Sequence, residues 1–219
     1  MTENKTYLIV LGGSFNPLTM AHKALMEHAR KYVGELFEKD VDGIYVPSSH
    51  NYVKRKMEKL PEDERLLFTE EERFYMLQGI LTKGCSISTV EYGDDGRGHS
   101  YRTMQMIHGA YPNTEPLFLI GADKLKILPR WGNIRKFLNE FCFLVTSRDM
   151  NSAEALIEAD EILADCRERF ILIPELPDDY STVSSTAARG AILKKDWTEV
   201  ERLCGDNITG IIKKVMESR

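Results

Sequence analysis

Short apolar runs recur along the chain at 7–11, 43–46, 86–90, 117–120, 141–145 and 170–173. Each is too short for a helix and lacks the strict alternation of a half-exposed strand, which predicts strands covered on both faces. Between them, apolar residues at helical spacing predict helices over about 20–33, 70–82, 101–109, 122–128 with 133–139, and 152–166. The carboxyl end reads as helical at 184–194, 197–203 and 207–217. Strands alternating with helices predict βαβ units. The fold class is therefore α/β, a Rossmann-like open parallel sheet with helices on both faces.

No repeat, low-complexity segment or Pro/Ser-rich linker interrupts this pattern, so a single domain over 1–219, including the helical segment 184–219, is expected. The longest irregular stretches are 47–69 and 91–100, and both follow strands. Loops of this length in a compact domain usually serve as lids or binding elements. In open α/β sheets ligands sit beyond the carboxyl ends of the strands. The turn after the first strand and both long loops are accordingly expected on one rim.

Composition narrows the partners. A net charge of −5 argues against a general basic surface for coating nucleic acid. Basic residues are nevertheless concentrated in "KRKMEK" (54–59), just before the acidic "PEDERLLFTEEE" (61–72). That local contrast suits capture of one phosphate-bearing small molecule, although a solvated charged loop reads the same way. No apolar run approaches the ~20 residues of a membrane helix, and the amino-terminal run is too short for a secretory core. A cytoplasmic protein without membrane or nucleic-acid partners is expected. Cys85, Cys142, Cys166 and Cys204 are far apart and lack ligand spacing, so they read as structural thiols with no metal site.

Four stretches carry candidate chemistry. The first is "GGSFNPLTMAH" (12–22), directly after the first strand. It is neither Gly-x-Gly-x-x-Gly nor a Gly-Lys-Ser/Thr loop. The glycines let backbone approach a ligand, Pro17 ends the strand, and Thr19 is placed to cap the next helix with His22 in its first turn. There the imidazole points back towards the strand end. The second is "STVSSTAARGAILKK" (181–195), where Ser184 or Ser185 caps a helix whose N–H groups, with Ser185, Thr186 and Arg189, suit one anion. The third, "LIGADKLKILPRWGNI" (119–134), runs a strand into Gly121 and Asp123, with Asp123 expected as a helix cap and Trp131 offering a flat face for a heterocycle. The fourth, "VPSSHNYVKRK" (46–56), sets His50, Lys54, Arg55 and Lys56 past the second strand, where cations bind phosphate. Each stretch alone also reads as ordinary structure: a buried histidine, a capped helix, a core tryptophan, a solvated loop.

Together, and in this order, they resemble the nucleotidyltransferase superfamily, whose hallmark is Gly-x-Phe-x-Pro-x-His-x-Gly-His, and within it the nicotinate/nicotinamide mononucleotide adenylyltransferases. The likeness is carried by Gly13, Phe15, Pro17 and His22, by "SSTAAR" (184–189), and by the Gly-x-Asp segment with its downstream tryptophan. Thr19 and Ala21 stand where the hallmark has its first histidine and second glycine.

The resemblance implies a nucleotidyltransferase fold and an enzyme that joins ATP to nicotinate or nicotinamide mononucleotide, releasing pyrophosphate, in NAD biosynthesis. It implies Mg²⁺ accompanying ATP. It assigns His22, Lys54 and Arg189 to catalysis, and Gly13, Ser14, Phe15, His22, Gly121, Asp123, Ser185, Thr186 and Arg189 to ATP. Ser14, Phe15, Lys54, Lys56 and Trp131 fall to the mononucleotide, with the choice between the two lysines open. Phosphopantetheine or another phosphorylated acceptor with ATP or CTP, and a non-catalytic nucleotide-binding module, are the competing expectations. The sequence gives no oligomeric state, and a homo-oligomer is left open.

Overall fold

The computed structural model describes residues 6–93, 100–147, 149–174, 176 and 178–219. In chain order the elements are β1 (Thr6–Gly13), α1 (Met20–Phe37), β2 (Val41–Pro47), α2 (His50–Met57), α3 (Glu70–Gln78), β3 (Cys85–Ile87), α4 (Ser100–Ala110) and β4 (Thr114–Gly121). They continue with α5 (Ile134–Glu140), β5 (Cys142–Ser147), α6 (Met150–Glu158), α7 (Glu161–Ala164), β6 (Phe170–Pro174), α8 (Ser185–Leu193), α9 (Trp197–Cys204) and α10 (Asp206–Glu217). The strands form one parallel sheet of order β3-β2-β1-β4-β5-β6 with helices on both sides. The order reverses at β1, the strand that runs into the glycine turn. In doubly wound sheets this reversal marks where ligands bind.

Four local expectations are corrected. Segment 47–69 is not an open loop: it holds α2 and a 3₁₀ turn at Glu62–Glu64. α2 forms because Ser49 caps it, accepting from the Tyr52 N–H, and because Val53 and Met57, one turn apart, are buried. The basic cluster Lys54-Arg55-Lys56 occupies its last turn, where cations complement the helix dipole. The helix expected at 122–128 is instead a pair of 3₁₀ turns, Ala122–Lys124 and Leu128–Arg130. Pro129 has no N–H to donate back to the Leu125 carbonyl, so an α-helix cannot run on through this segment. The segment expected as one helix at 152–166 breaks where Asp160 accepts from the N–H groups of Ile162 and Leu163 and begins α7. The strand expected at 86–90 covers only Cys85–Ile87. Of the second long loop, residues 94–99 lie outside the described residues.

Contacts concentrate in two compact units. The first comprises 1–11, 27–44 and 99–176. In it β1 pairs with β4 from Thr6↔Thr114 to Val10↔Phe118, and β4–β5 and β5–β6 are likewise parallel. Ile9, Val10, Leu144 and Val145 are fully enclosed, as strands covered on both faces require. Phe118, Phe137 and Phe143 form an aromatic cluster, with ring centroids 4.7 Å apart for Phe137 and Phe143 and 5.7 Å for Phe118 and Phe143.

The second unit comprises 12–26, 45–98 and 177–219. Its core gathers Phe15, Leu18, Phe68, Met76, Leu77, Val200, Leu203, Ile208 and Ile212. Among the described residues no helix is long and apolar enough to cross a membrane. The four cysteines are free, with Cys204 buried and the other three half-buried.

Candidate functional site

The second unit holds most of the candidate residues, and its centre is the turn that leaves β1. Phe15 adopts φ 43°, and the Asn16–Pro17 peptide is cis. The Phe15 ring folds back under Gly13, so a Cβ at Gly13 would lie 3.0 Å from Cζ of that ring. The ring is fully buried, edge-on to His22 at 5.1 Å and to Tyr45 at 6.0 Å between centroids. A side chain at 13 would push that ring away by a few tenths of an ångström, so glycine suits the close approach.

Two buried side chains missing from the sequence-derived set hold the turn. Asn16 is 1% exposed; its Oδ1 accepts from the Phe68 N–H at 2.9 Å, and its Nδ2 donates to the Leu66 carbonyl at 2.7 Å and to Met57 Sδ at 3.3 Å. Arg73 is completely enclosed, donating from Nη1 to the Ser14 carbonyl at 2.9 Å and from Nη2 to the Ser48 carbonyl at 2.6 Å. The Ser48 N–H in turn donates to the Gly13 carbonyl at 2.9 Å. The turn after β1 and the entry to α2 are thereby fastened together, as the shared-rim expectation required of these two segments. Neither Asn16 nor Arg73 carried a motif signal, since both act on main-chain groups.

α1 starts at Met20, which puts Thr19 at the cap position and His22 in the first turn as expected. The Thr19 N–H donates to His22 Nδ1 at 3.1 Å, and the Thr19 hydroxyl lies 2.8 Å from the same nitrogen. Nδ1 therefore acts as acceptor, and the neutral ring carries its proton on Nε2. Burial pushes the His22 pKa down to about 4, and the positive charge of Lys56 acts in the same direction. At neutral pH His22 is an uncharged Nε2–H donor.

The amino end of α8 meets the same turn. Ser184 is the cap, accepting from the Ala187 N–H at 3.1 Å. The Ser185 hydroxyl donates to the Pro17 carbonyl at 2.8 Å. Arg189, 6% exposed, donates from Nη1 to the Asn16 carbonyl at 3.0 Å and from Nη2 to the Thr186 hydroxyl at 3.2 Å. Among the described residues its Nε has no partner. Two segments more than 160 positions apart are so joined side chain to main chain. In this state the Ser185 hydroxyl and one nitrogen of Arg189 serve the turn itself.

Of the α2 cations, Lys56 reaches the turn, with Nζ 3.4 Å from the Ser14 hydroxyl. Lys54, exposed and two residues earlier, lies about 200° round the helix from Lys56. His50 opens α2, its N–H donating to Glu70 Oε1 at 2.7 Å.

Gly121, Asp123 and Trp131 belong to the first unit. Asp123 is not a cap: Gly121 holds that position without a side-chain bond, and Asp123 lies within the 3₁₀ turn and pairs with Lys124. The reason is that Asp123 falls inside the 3₁₀ turn Ala122–Lys124, whereas a capping side chain belongs to the residue before the first turn. A Cβ on Gly121 would come within 2.7 Å of Asp123 Oδ1. Trp131 is half-buried, its ring edge-on to Phe118 at 6.3 Å.

A family model described as Cytidylyltransferase-like matches residues 10–191. Curated relatives include a probable nicotinate-nucleotide adenylyltransferase of Listeria innocua, 28% identical over 182 residues covering 76% of this chain and 89% of that protein. A protein of the same name from Oceanobacillus iheyensis is 24% identical over 94% of this chain and 93% of its own length. The namesake from Streptococcus pneumoniae is 30% identical over 64% of this chain, and the match spans only 61% of its length. Among solved structures, Plasmodium falciparum nicotinic acid mononucleotide adenylyltransferase complexed with APC superposes with a TM-score of 0.68 at 17% identity over 96% of both chains. The fold is thus that of the nucleotidyltransferases.

Proposed function

The chain belongs to the cytidylyltransferase-like family, and on that premise we propose that it is a nicotinate- or nicotinamide-mononucleotide adenylyltransferase. Relatives bearing the first of these names align over most of the chain. The observation that carries the reading is the joining of the His22 turn to the amino end of α8 through Ser185 and Arg189. It collects a neutral imidazole donor, a guanidinium and a set of helix N–H groups around one short stretch of chain, a combination suited to a triphosphate.

In the proposed reaction an oxygen of the mononucleotide 5′-phosphate forms a bond to the α-phosphorus of ATP, the bond from that phosphorus to the bridging oxygen breaks, and pyrophosphate leaves. The attacking phosphate is already ionised, so no general base is required, and rate comes from positioning and charge stabilisation. His22 donates from Nε2 to the phosphates without carrying charge of its own. Arg189, Thr186 and the α8 N–H groups hold the β- and γ-phosphates. Lys56, rather than Lys54, is the α2 cation favoured for phosphate, because it lies against Ser14. Gly13, Ser14 and Phe15 bring main chain against both substrates; the family likeness assigns Gly121 and Asp123, in the first unit, to adenosine and Trp131 to the pyridine ring.

Magnesium arrives as part of the nucleotide substrate. On this reading the ion is held by the phosphates and water rather than by a dedicated protein cage. Bound there, it neutralises charge on the transferring phosphates.

Pyrophosphate release with Mg-ATP or Mg-CTP against nicotinate mononucleotide, nicotinamide mononucleotide and phosphopantetheine tests the proposal. Turnover with ATP and a pyridine mononucleotide is expected. Turnover confined to CTP or to phosphopantetheine would replace it, and binding without turnover would identify a nucleotide-binding module.

A further inference from the structure

Arg73 presents a guanidinium that is completely enclosed and, among the described residues, bonded to no carboxylate. Its partners are two main-chain carbonyls, and its Nε has none. Burial pushes its pKa down and outweighs Glu70 and Glu91, which attract it through space without bonding it; proteins retain a charge buried at such a cost where something else offsets it.

The geometry supplies the offset. A peptide group is planar and trans, so its C=O and N–H point in opposite directions. By drawing the Ser14 carbonyl to 2.9 Å from Nη1, Arg73 turns the N–H of the following residue, Phe15, away from itself. Among the described residues the Phe15 N–H donates to nothing, and Phe15 holds a φ of 43°. The second arm does the same for the entry to α2, holding the Ser48 carbonyl while the Ser48 N–H is bonded to Gly13.

We infer that Arg73 is a positioning residue of the transfer reaction: it aims the Phe15 N–H at the anionic substrate. The inference rests on the adenylyltransferase reading above. Arg73 touches neither substrate. Its reach to two carbonyls on separate segments needs the planar fork of a guanidinium, which a lysine ammonium does not provide.

The test compares wild type with Arg73→Lys and Arg73→Met in steady-state kinetics, thermal unfolding and amide NMR of phenylalanine-labelled protein. Arg73→Met is expected to lower kcat by ~10²-fold, the cost of misplacing one oxyanion-type donor. Arg73→Lys, keeping charge without the fork, is expected to recover about a tenfold part of that loss, with KM for both substrates within about threefold of wild type. Variants that unfold at lower temperature yet keep wild-type kcat would reduce Arg73 to a structural residue and overturn the inference while leaving the proposed function intact. Wild type inactive on every pyridine mononucleotide would overturn the proposed function instead. In that case, or if neither variant folds, titration of wild type with inorganic tripolyphosphate decides: a saturable shift of the Phe15 amide resonance supports the inference, and an unmoved resonance overturns it.

Discussion

Thr19 and His22 close a two-way contact across the first turn of α1, with the Thr19 N–H 3.1 Å and its hydroxyl 2.8 Å from Nδ1. One nitrogen of the ring is occupied by the protein and the other is left as a donor. Thr19 stands where the family hallmark has a histidine, and here its role is to fix the tautomer of the histidine that remains.

His22→Ala should lower kcat by at least ~10²-fold, as expected for losing a donor aimed at developing negative charge. The fold should survive, since the change leaves the Thr19 N–H short of one partner at a cost of ~1–3 kcal/mol. Steady-state pyrophosphate release alongside urea unfolding separates the two effects. Wild-type turnover would make His22 a cap and nothing more.

The depressed His22 pKa has a consequence for stability. The unfolded ring titrates near 6.5 and the folded one at about 4, so between these values the unfolded chain binds a proton that the folded chain refuses. The stability held by the neutral ring is complete above pH 6.5, declines as pH falls, and is lost once pH passes through 4. The difference is roughly 3 kcal/mol by the usual conversion of pKa to free energy. Unfolding free energies of wild type and His22→Gln should diverge in slope between pH 6.5 and 4 and run parallel above. Correspondingly, a limb of kcat/KM at about pH 6, where the substrates' own phosphates take up a proton, should persist in His22→Gln, and its loss in that variant would mean that the ring works as imidazolium.

The sequence made some of this legible and hid the rest for identifiable reasons. The βα alternation, the Gly13–Phe15 turn, the start of α1 and the cap of α8 were readable, because apolar runs and capping residues act locally. α2 was not, since its apolar signal consists only of Val53 and Met57 within a polar eight-residue segment; Ser49 before that pair was the available clue. Asn16 and Arg73 bond main-chain groups 25 to 59 positions away, and no spacing rule reports such partners. Asp123 looked like a cap in a pattern that forms 3₁₀ turns once Pro129 is accounted for.

Ser185 and Arg189 hold adjacent carbonyls, those of Pro17 and Asn16, across the cis peptide. Ser185→Ala removes one bond, worth ~1 kcal/mol. Arg189→Lys exchanges a fork that reaches both Asn16 and Thr186 for a point charge and should raise KM for ATP at least ~10-fold. Because both residues brace one turn, their effects on stability should couple by ~0.5–3 kcal/mol in a double-mutant cycle. A coupling of zero would mean that the turn is fixed from elsewhere, Arg73 and Asn16 being the remaining anchors.

Trp131 is the residue for which substrate and scaffold compete most directly. Its ring meets Phe118 edge-on at 6.3 Å, and the residue is only half-buried. A core aromatic removed to alanine costs ~3–5 kcal/mol. A half-exposed tryptophan that stacks on a ligand should lose far less stability and much more affinity. Aromatic stacking contributes ~0.5–1.5 kcal/mol beyond burial, so Trp131→Ala should raise KM for the pyridine mononucleotide by up to ~10-fold at a tenfold per 1.4 kcal/mol, with KM for ATP unmoved. Trp131→Phe, keeping a flat face, should restore most of that affinity. If instead both KM values stay put and the unfolding free energy falls by the full core amount, Trp131 belongs to the Phe118 cluster and the pyridine ring is held by other groups.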